Sequence, residues 1–351
     1  MMNRTRSGDA ALIAGLVLAA AACDGSPAGP VPVKGACVPA LEGVSQVVDS
    51  VVNARGVEGG LLLVMQGGQV LCERAYGGYE VNQAVPIASA SKWLTAVTML
   101  TLVDDGQLEL DAPISQWLDY FAGGEPVTLR QLLSHTSGLN EGGCAGVLTS
   151  TLHDCAQQIA QSTRAARPGT RFIYGGGSFT VAGALAETVA QQGWPALWRA
   201  RIEEPLGLTG THWDNIRNPL LSGGATSTVQ DYAKVMRMIV SGGQAGGQTV
   251  LSAAAIEQLR HDNVGTVPVL FTPRNDAFGY TLGAWIDAAD AQGRATVLSS
   301  VGASGFYPWL DFERDVVGIV MLPPSGAGDG YWYPIARRVQ AEVRQIVGAG
   351  G

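Results

Sequence analysis

Lysine is scarce in this 351-residue chain. It occurs only at Lys34, Lys92 and Lys234, while arginine supplies the rest of the 22 basic residues. No basic cluster breaks the net charge of -8, so the phosphate-neutralising surface of a nucleic-acid binder is missing and nucleic acid is excluded as a partner. The four histidines, at 135, 153, 212 and 261, are too scattered to give a metal-ligand spacing, and no cysteine pair has zinc-site spacing. There is no Gly-rich phosphate loop ending in Lys-Ser/Thr and no G-x-S-x-G nucleophile elbow. Charged residues make up only 15% of the chain against 46% hydrophobic, which excludes disorder and implies a well-filled core. The 47 glycines follow no triplet period, so collagen-like and linker-like readings fail.

What is present begins with a targeting pattern. Arg4 and Arg6 precede an apolar run from Ala10 to Ala22, too short to span a bilayer but suited to a signal peptide over 1–22. The run ends at Cys23, followed by Asp24-Gly25-Ser26, and this resembles a bacterial lipoprotein signal. We expect an exported protein with a possible lipid anchor at Cys23; ordinary cleavage, giving a periplasmic or secreted chain, is the alternative. The other cysteines, at 37, 72, 144 and 155, allow three pairings. Cys144–Cys155 with Cys37–Cys72 is preferred because the first closes a short loop; free buried thiols are the alternative.

Residues 23–37 are rich in Pro, Gly and Ala and read as a linker. An amphipathic helix is predicted over about Leu41–Ala54. Two strands, Gly60–Gln66 and Gln69–Tyr76, flank Gly67-Gly68 as a hairpin, and a helix runs from Ser89 to Asp105. From about 110 to 218 the periodicity is mostly helical, and helices follow at Val229–Val240 and Ala253–Arg260. Strand patterns return at Tyr280–Trp285, Ala295–Val301, Phe306–Asp311 and Val316–Leu322, before a last helix over Tyr333–Val347. This order predicts an α+β fold, an antiparallel sheet flanked by helices with a mainly helical insert. Residues 38–115 and 222–348 would form the sheet-bearing part and 116–221 the insert.

The chemistry centres on Ser89-Ala90-Ser91-Lys92. S-x-x-K is weak evidence alone. Here, however, a lysine stands in a chain that otherwise prefers arginine. Lysine, unlike arginine, can lose its proton when buried and serve as a base. Residues i and i+3 share a helix face, so Lys92 can reach the Ser89 hydroxyl, and the helix N-terminus favours developing negative charge there. A capping serine with a solvent-facing lysine is the bland alternative.

The rest of the chain, from about 41 to 345, resembles the β-lactamase-related serine hydrolases: class C β-lactamases, D-Ala-D-Ala peptidases and esterases of the same fold. The resemblance is carried by Ile87-Ala88-Ser89-Ala90-Ser91-Lys92, by Thr128-Leu129-Arg130-Gln131-Leu132-Leu133-Ser134-His135-Thr136-Ser137-Gly138-Leu139, and by Pro168-Gly169-Thr170-Arg171-Phe172-Ile173-Tyr174. Pro205-Leu206-Gly207-Leu208 and Gly223-Gly224-Ala225-Thr226-Ser227-Thr228 also match. It implies a β-lactamase/transpeptidase-like fold, with Ser89 as acylated nucleophile and Lys92 and Tyr174 as its proton-transfer partners. It leaves open which of the two takes the serine proton. His135 falls in a segment that is structural in the family, and Ser304 lacks a neighbouring base. Ser300-Val301-Gly302 aligns with the third family motif, so Ser300 and Gly302 are expected at the substrate, with the N–H groups of Ser89 and Ala303 as the oxyanion hole. No metal or organic cofactor is implied.

Two departures bear on the substrate. The Tyr motif usually ends in a polar Asn- or Ser-type residue, but here reads Tyr174-Gly175-Gly176. Ser300 replaces a residue that is often cationic, and Arg294, six residues earlier, is too far along the strand to substitute. We therefore expect a small ester, or else an amide, as substrate. The alternatives are a β-lactamase or D-Ala-D-Ala peptidase and, from another class, a non-catalytic penicillin-binding-like sensor.

Overall fold

The computed structural model describes residues 32–277, 279–326 and 330–348. The predicted signal peptide and Cys23 lie outside them.

The main sheet has eight antiparallel strands: β1 Val33–Cys37, β2 Gly59–Gln66, β3 Gln69–Gly77, β4 Gly279–Tyr280, β5 Trp285–Ala289, β6 Ala295–Ser299, β7 Phe306–Asp311 and β8 Val316–Met321, in the spatial order β1-β3-β2-β8-β7-β6-β5-β4. The first and last thirds of the chain thus meet at the β2–β8 pair, where Leu61 faces Met321 and Gln66 faces Val316. Among the described residues, six helices of ten or more residues accompany the sheet: α1 Glu42–Arg55, α2 Ser91–Asp104, α3 Leu152–Gln161, α4 Gly177–Ala190, α5 Val229–Val240 and α6 Trp332–Gly348.

The pleat explains the layers. Side chains alternate along a strand, so Leu62 and Val64 of β2 enter one core with Val48 and Val52 of α1 and Val339 and Val343 of α6. Leu61 and Leu63 enter the opposite core with Val97 and Leu100 of α2 and Met236 of α5. Burial on both faces is why Gly60-Leu61-Leu62-Leu63-Val64-Met65 reads as a continuous apolar run. The second core continues without a break into the helical region, through Leu132, Leu133, Ile159, Phe179 and Leu185.

Two expectations change. The end of the predicted linker is strand β1, since Val33–Cys37 pairs residue for residue with Tyr76–Cys72 of β3. Its composition hides this because the pairing partner and the Cys37–Cys72 disulfide supply the order. The predicted strand Tyr280–Trp285 is instead a tight hairpin between β4 and β5: Tyr280 pairs with Trp285, and Thr281 N–H donates to Ala284 O (2.8 Å). Cys144 and Cys155 also form a disulfide, the preferred pairing.

Among the described residues no helix is long and apolar enough to cross a membrane.

Candidate active site

The nucleophile segment is locked before any chemistry is considered. Ile87 N–H donates to Ala225 O, and Ser91 Oγ bridges Ala88 O (2.7 Å) and Ala225 N–H (3.0 Å). Ala88 sits at φ 44°, a backbone region costly for a residue with a Cβ, and the bridge from Ser91 holds it there. Ser89 lies in a single 3-10 turn, Ala88–Ala90, that leads into α2 rather than within α2 as the periodicity predicts. It remains at the positive end of that helix.

Every residue of α2 from Ser91 to Leu102 is buried, which is unusual for a lysine-bearing helix. Lys92 is only 3% exposed. Its Nζ donates to Ser222 O (2.8 Å) and approaches Ser89 Oγ at 3.3 Å. The Leu221–Ser222 backbone is brought to it by Thr95, one helical turn on, whose Oγ1 donates to Leu221 O (2.9 Å). Burial pushes the Lys92 ammonium down from 10.5 to about 7, and the Glu141 charge partly opposes this.

Tyr174 follows the short strand Phe172–Ile173, and its hydroxyl lies within hydrogen-bond reach of Ser89. Its ring stacks on Trp285 (5.2 Å between centroids) and lies 4.6 Å from Lys92 Nζ. Burial raises the phenol to about 12, outweighing the bond to Ser89 and the Arg274 charge that lower it. Desolvation thus pushes both Lys92 and Tyr174 toward their neutral forms.

His135 is packed among the rings of Phe172, Tyr174, Phe179 and Tyr280. Its Nδ1 accepts Gly175 N–H (3.3 Å), and burial, reinforced by the Lys92 charge, holds its pKa well below the ordinary histidine value. It therefore supports Tyr174 from behind as a neutral ring.

The third motif meets the nucleophile through backbone. A Cβ at Gly302 would overlap the Ile87 carbonyl oxygen, so only glycine permits this approach. Gly302 N–H donates to Phe306 O (2.8 Å) and Gly305 N–H to Gly302 O (2.9 Å). Between them, Ala303 N–H has no backbone acceptor among the described residues. Ser89, Tyr174, Val301 and Ala303 line one cavity of about 350 Å³, closed by Pro273, Arg274, Trp285, Trp332 and Tyr333. Ser300 is not in its wall. Its side chain is 3% exposed and turns under the strand to Gly283 O (3.4 Å), because successive residues face opposite ways and Val301 takes the cleft side. Ser304 Oγ is buried and has no hydrogen-bond partner among the described residues.

Arg294 pairs with exposed Glu257 at the surface, whereas Arg274, which sequence reasoning missed, is the cation at the cavity wall. It is 6% exposed and lies over the Trp285 and Tyr333 rings, 5.4 Å from each. Its nitrogens are spent on Asp276 (3.1 Å), Asp287 (2.9 Å) and Ser299 Oγ (3.0 Å). Asp287 also pairs with Arg337 (3.1 Å), so two arginines offset two aspartates. Asp276 is a local partner of Arg274, but Asp287, Ser299 and the rings it lies over come from later segments, so no local pattern places it at the cavity. A larger groove of about 690 Å³, lined by Leu63, Val70, Leu206, Lys234 and Met238 among others, lies apart from Ser89 and holds no paired nucleophile and base. No group of His, Cys, Asp or Glu among the described residues is arranged to hold a metal.

Residues 44–326 match the β-lactamase family model. The chain belongs to the β-lactamase family. The fold agrees: a putative β-lactamase structure from Bacteroides dorei superposes with TM-score 0.80 at 30% identity, covering 88% of this chain and 99% of that one. Esterase EstB of Burkholderia gladioli is 30% identical over 46% of this chain and 48% of its own length, so the match spans about half of that relative. The D-alanyl-D-alanine-carboxypeptidase/endopeptidase AmpH of Escherichia coli is 24% identical over 81% of both chains.

Proposed function

We propose that this family member is an exported serine hydrolase that acts on carboxylic esters through an acyl-enzyme at Ser89. The observation that carries the reading is the buried Lys92, with its Nζ 3.3 Å from Ser89 Oγ and its pKa near 7. At neutral pH a substantial fraction of Lys92 is neutral, whereas Tyr174 keeps its proton. Lys92 is therefore the base and Tyr174 the hydrogen-bond donor. Ser89 Oγ attacks the ester carbonyl carbon while its proton passes to Lys92 Nζ. The N–H groups of Ser89 and Ala303 hold the oxyanion. Collapse expels the alkoxide, which leaves with a proton passed back from Lys92 by way of the Tyr174 hydroxyl. Water then attacks the acyl carbon and gives a proton to Lys92; the bond from that carbon to Ser89 Oγ breaks, Lys92 returns the proton to Ser89, and the carboxylic acid leaves.

An ester is favoured over a free-carboxylate substrate by the state of Arg274. Its charge is already matched by buried and half-exposed aspartates, and the rest of the wall is largely Trp, Tyr and Val. AmpH, whose name gives it a D-alanyl-D-alanine peptide activity, keeps the peptidase reading as second choice. Two disulfides suit an oxidising compartment and support export, with Cys23 as the proposed lipid attachment point.

The test is to incubate the mature protein with a panel of esters, penicillins and cephalosporins and locate the modified residue by mass spectrometry. Ester turnover with acylation at Ser89 is expected. Efficient cephalosporin turnover without ester hydrolysis would reverse the substrate ranking. No label from a fluorophosphonate, under conditions that label a known relative, would favour a sensor.

A further inference from the structure

The Tyr174 motif ends in two glycines whose side-chain space is occupied by the ends of two other side chains. A Cβ at Gly175 would overlap Glu141 Oε1. A Cβ at Gly176 would lie 2.6 Å from Ser222 Oγ and 3.0 Å from Glu141 Oε2. The glycines are thus matched to something that fills the space. Glu141 takes Gly176 N–H on both carboxylate oxygens, at 2.6 and 2.8 Å. Ser222, whose hydroxyl adjoins the same spot, presents its carbonyl to Lys92 Nζ. Two separate loops therefore converge where the third side chain of the Tyr motif would stand.

We propose that Glu141 is a positioning residue of the acylation site, standing in for the absent side chain at 176 and supplying the counter-charge to Lys92. The inference rests on the acyl-enzyme reading above. When Ser89 attacks, its O–H bond breaks, an N–H bond forms at Lys92, and a cation appears in a buried site. The titratable groups nearest that cation are Tyr174 and His135, and the carboxylate of Glu141, itself exposed to solvent on its outer side, reaches the same corner beside Ser222. Tyr174 and His135 are both held neutral, so Glu141 supplies the negative charge. Ser89 Oγ, Ser222 O and the Phe179 ring complete the surroundings without titrating. Glu141 also touches the start of α4 at Gly176, and a mere helix-start role is the competing explanation.

The experiment follows fluorophosphonate labelling of Ser89 against pH, by mass spectrometry, in wild type, Glu141→Gln and Glu141→Asp. Gln keeps an acceptor for Gly176 N–H but loses the charge. Its acid limb is expected to move down by about one pH unit, as removal of a nearby opposite charge does, with a plateau rate lower by about tenfold. Asp keeps the charge, so its limb stays in place even where its shorter reach lowers the plateau. A Gln limb and plateau that superimpose on wild type overturn the proposal, and so does an Asp limb that moves as far as that of Gln. Should Gln fail to fold, the Asp limb decides. A wild type that never labels at Ser89 sinks the acyl-enzyme reading itself, an outcome distinct from labelling with an unmoved limb.

Discussion

Lys92 Nζ donates to Ser222 O at 2.8 Å and stands 3.3 Å from Ser89 Oγ, so once the lysine is neutral its lone pair can turn to Ser89 while the carbonyl keeps one N–H. The lysine is held by backbone, which no side-chain change at 222 removes.

Replacing Lys92 should therefore abolish the base while sparing the fold. Lys92→Met is expected to lower kcat/KM on a short-chain ester by about 10²–10⁴. Lys92→Arg should be no better, because arginine stays charged and needs more room. Steady-state ester hydrolysis, with thermal unfolding as control, checks both.

The pH dependence follows from Lys92 titrating at about 7 in the fold against 10.5 when unfolded. Below about 7 the lysine is protonated and cannot accept the serine proton, so kcat/KM should rise with pH through that value. With Tyr174 held at about 12, no falling limb from the phenol is expected at moderately alkaline pH. Between 7 and 10.5 the unfolded chain binds the proton that the folded chain has lost, so this group makes stability rise with pH. Lys92→Met should accordingly gain most over wild type below pH 7, and the gain should shrink as the pH climbs. Chemical denaturation at several pH values measures it.

Gly302→Ala should separate the third motif from the nucleophile turn, because its Cβ has the Ile87 carbonyl in its path. A fall in kcat of about 10²–10³, the cost of losing one oxyanion donor, is expected. The overpacking should also cost about 1–3 kcal/mol of stability. Unchanged fluorophosphonate labelling would refute the assigned contact.

Arg274→Met should destabilise the fold by about 3–5 kcal/mol, because it leaves Asp287 buried with only Arg337 to balance it. If Arg274 anchors no substrate carboxylate, the folded variant should lose activity on neutral esters and on carboxylate-bearing ones by similar factors. A selective loss on the latter would favour the peptidase reading.

What the sequence reveals and what it hides divides along range. The hairpin at Gly67-Gly68, helix Val229–Val240 and strand Phe306–Asp311 carry their own periodicity, and each is seen where it is predicted. Ser89 and Lys92 are three residues apart, so helix geometry alone pairs them. Strand β1 has no such internal signal, since its order comes from β3. Motif alignment locates Ser300 along the chain but does not decide which way its side chain turns, and that parity is visible only in the fold. Glu141 and Arg274 reach the site through loops, and only the folded chain brings them near Tyr174.

The disulfide between Cys37 and Cys72 has a consequence beyond holding β1 in place. A β-sheet edge with unpaired backbone groups is a template on which another copy can add a strand. Bolting β1 over β3 covers the nine-residue strand β3 and leaves as edges only the five-residue β1 and, at the far side, the two-residue β4, both short templates. Reduction of this bond should thus show itself first as self-association of the protein along the β3 edge.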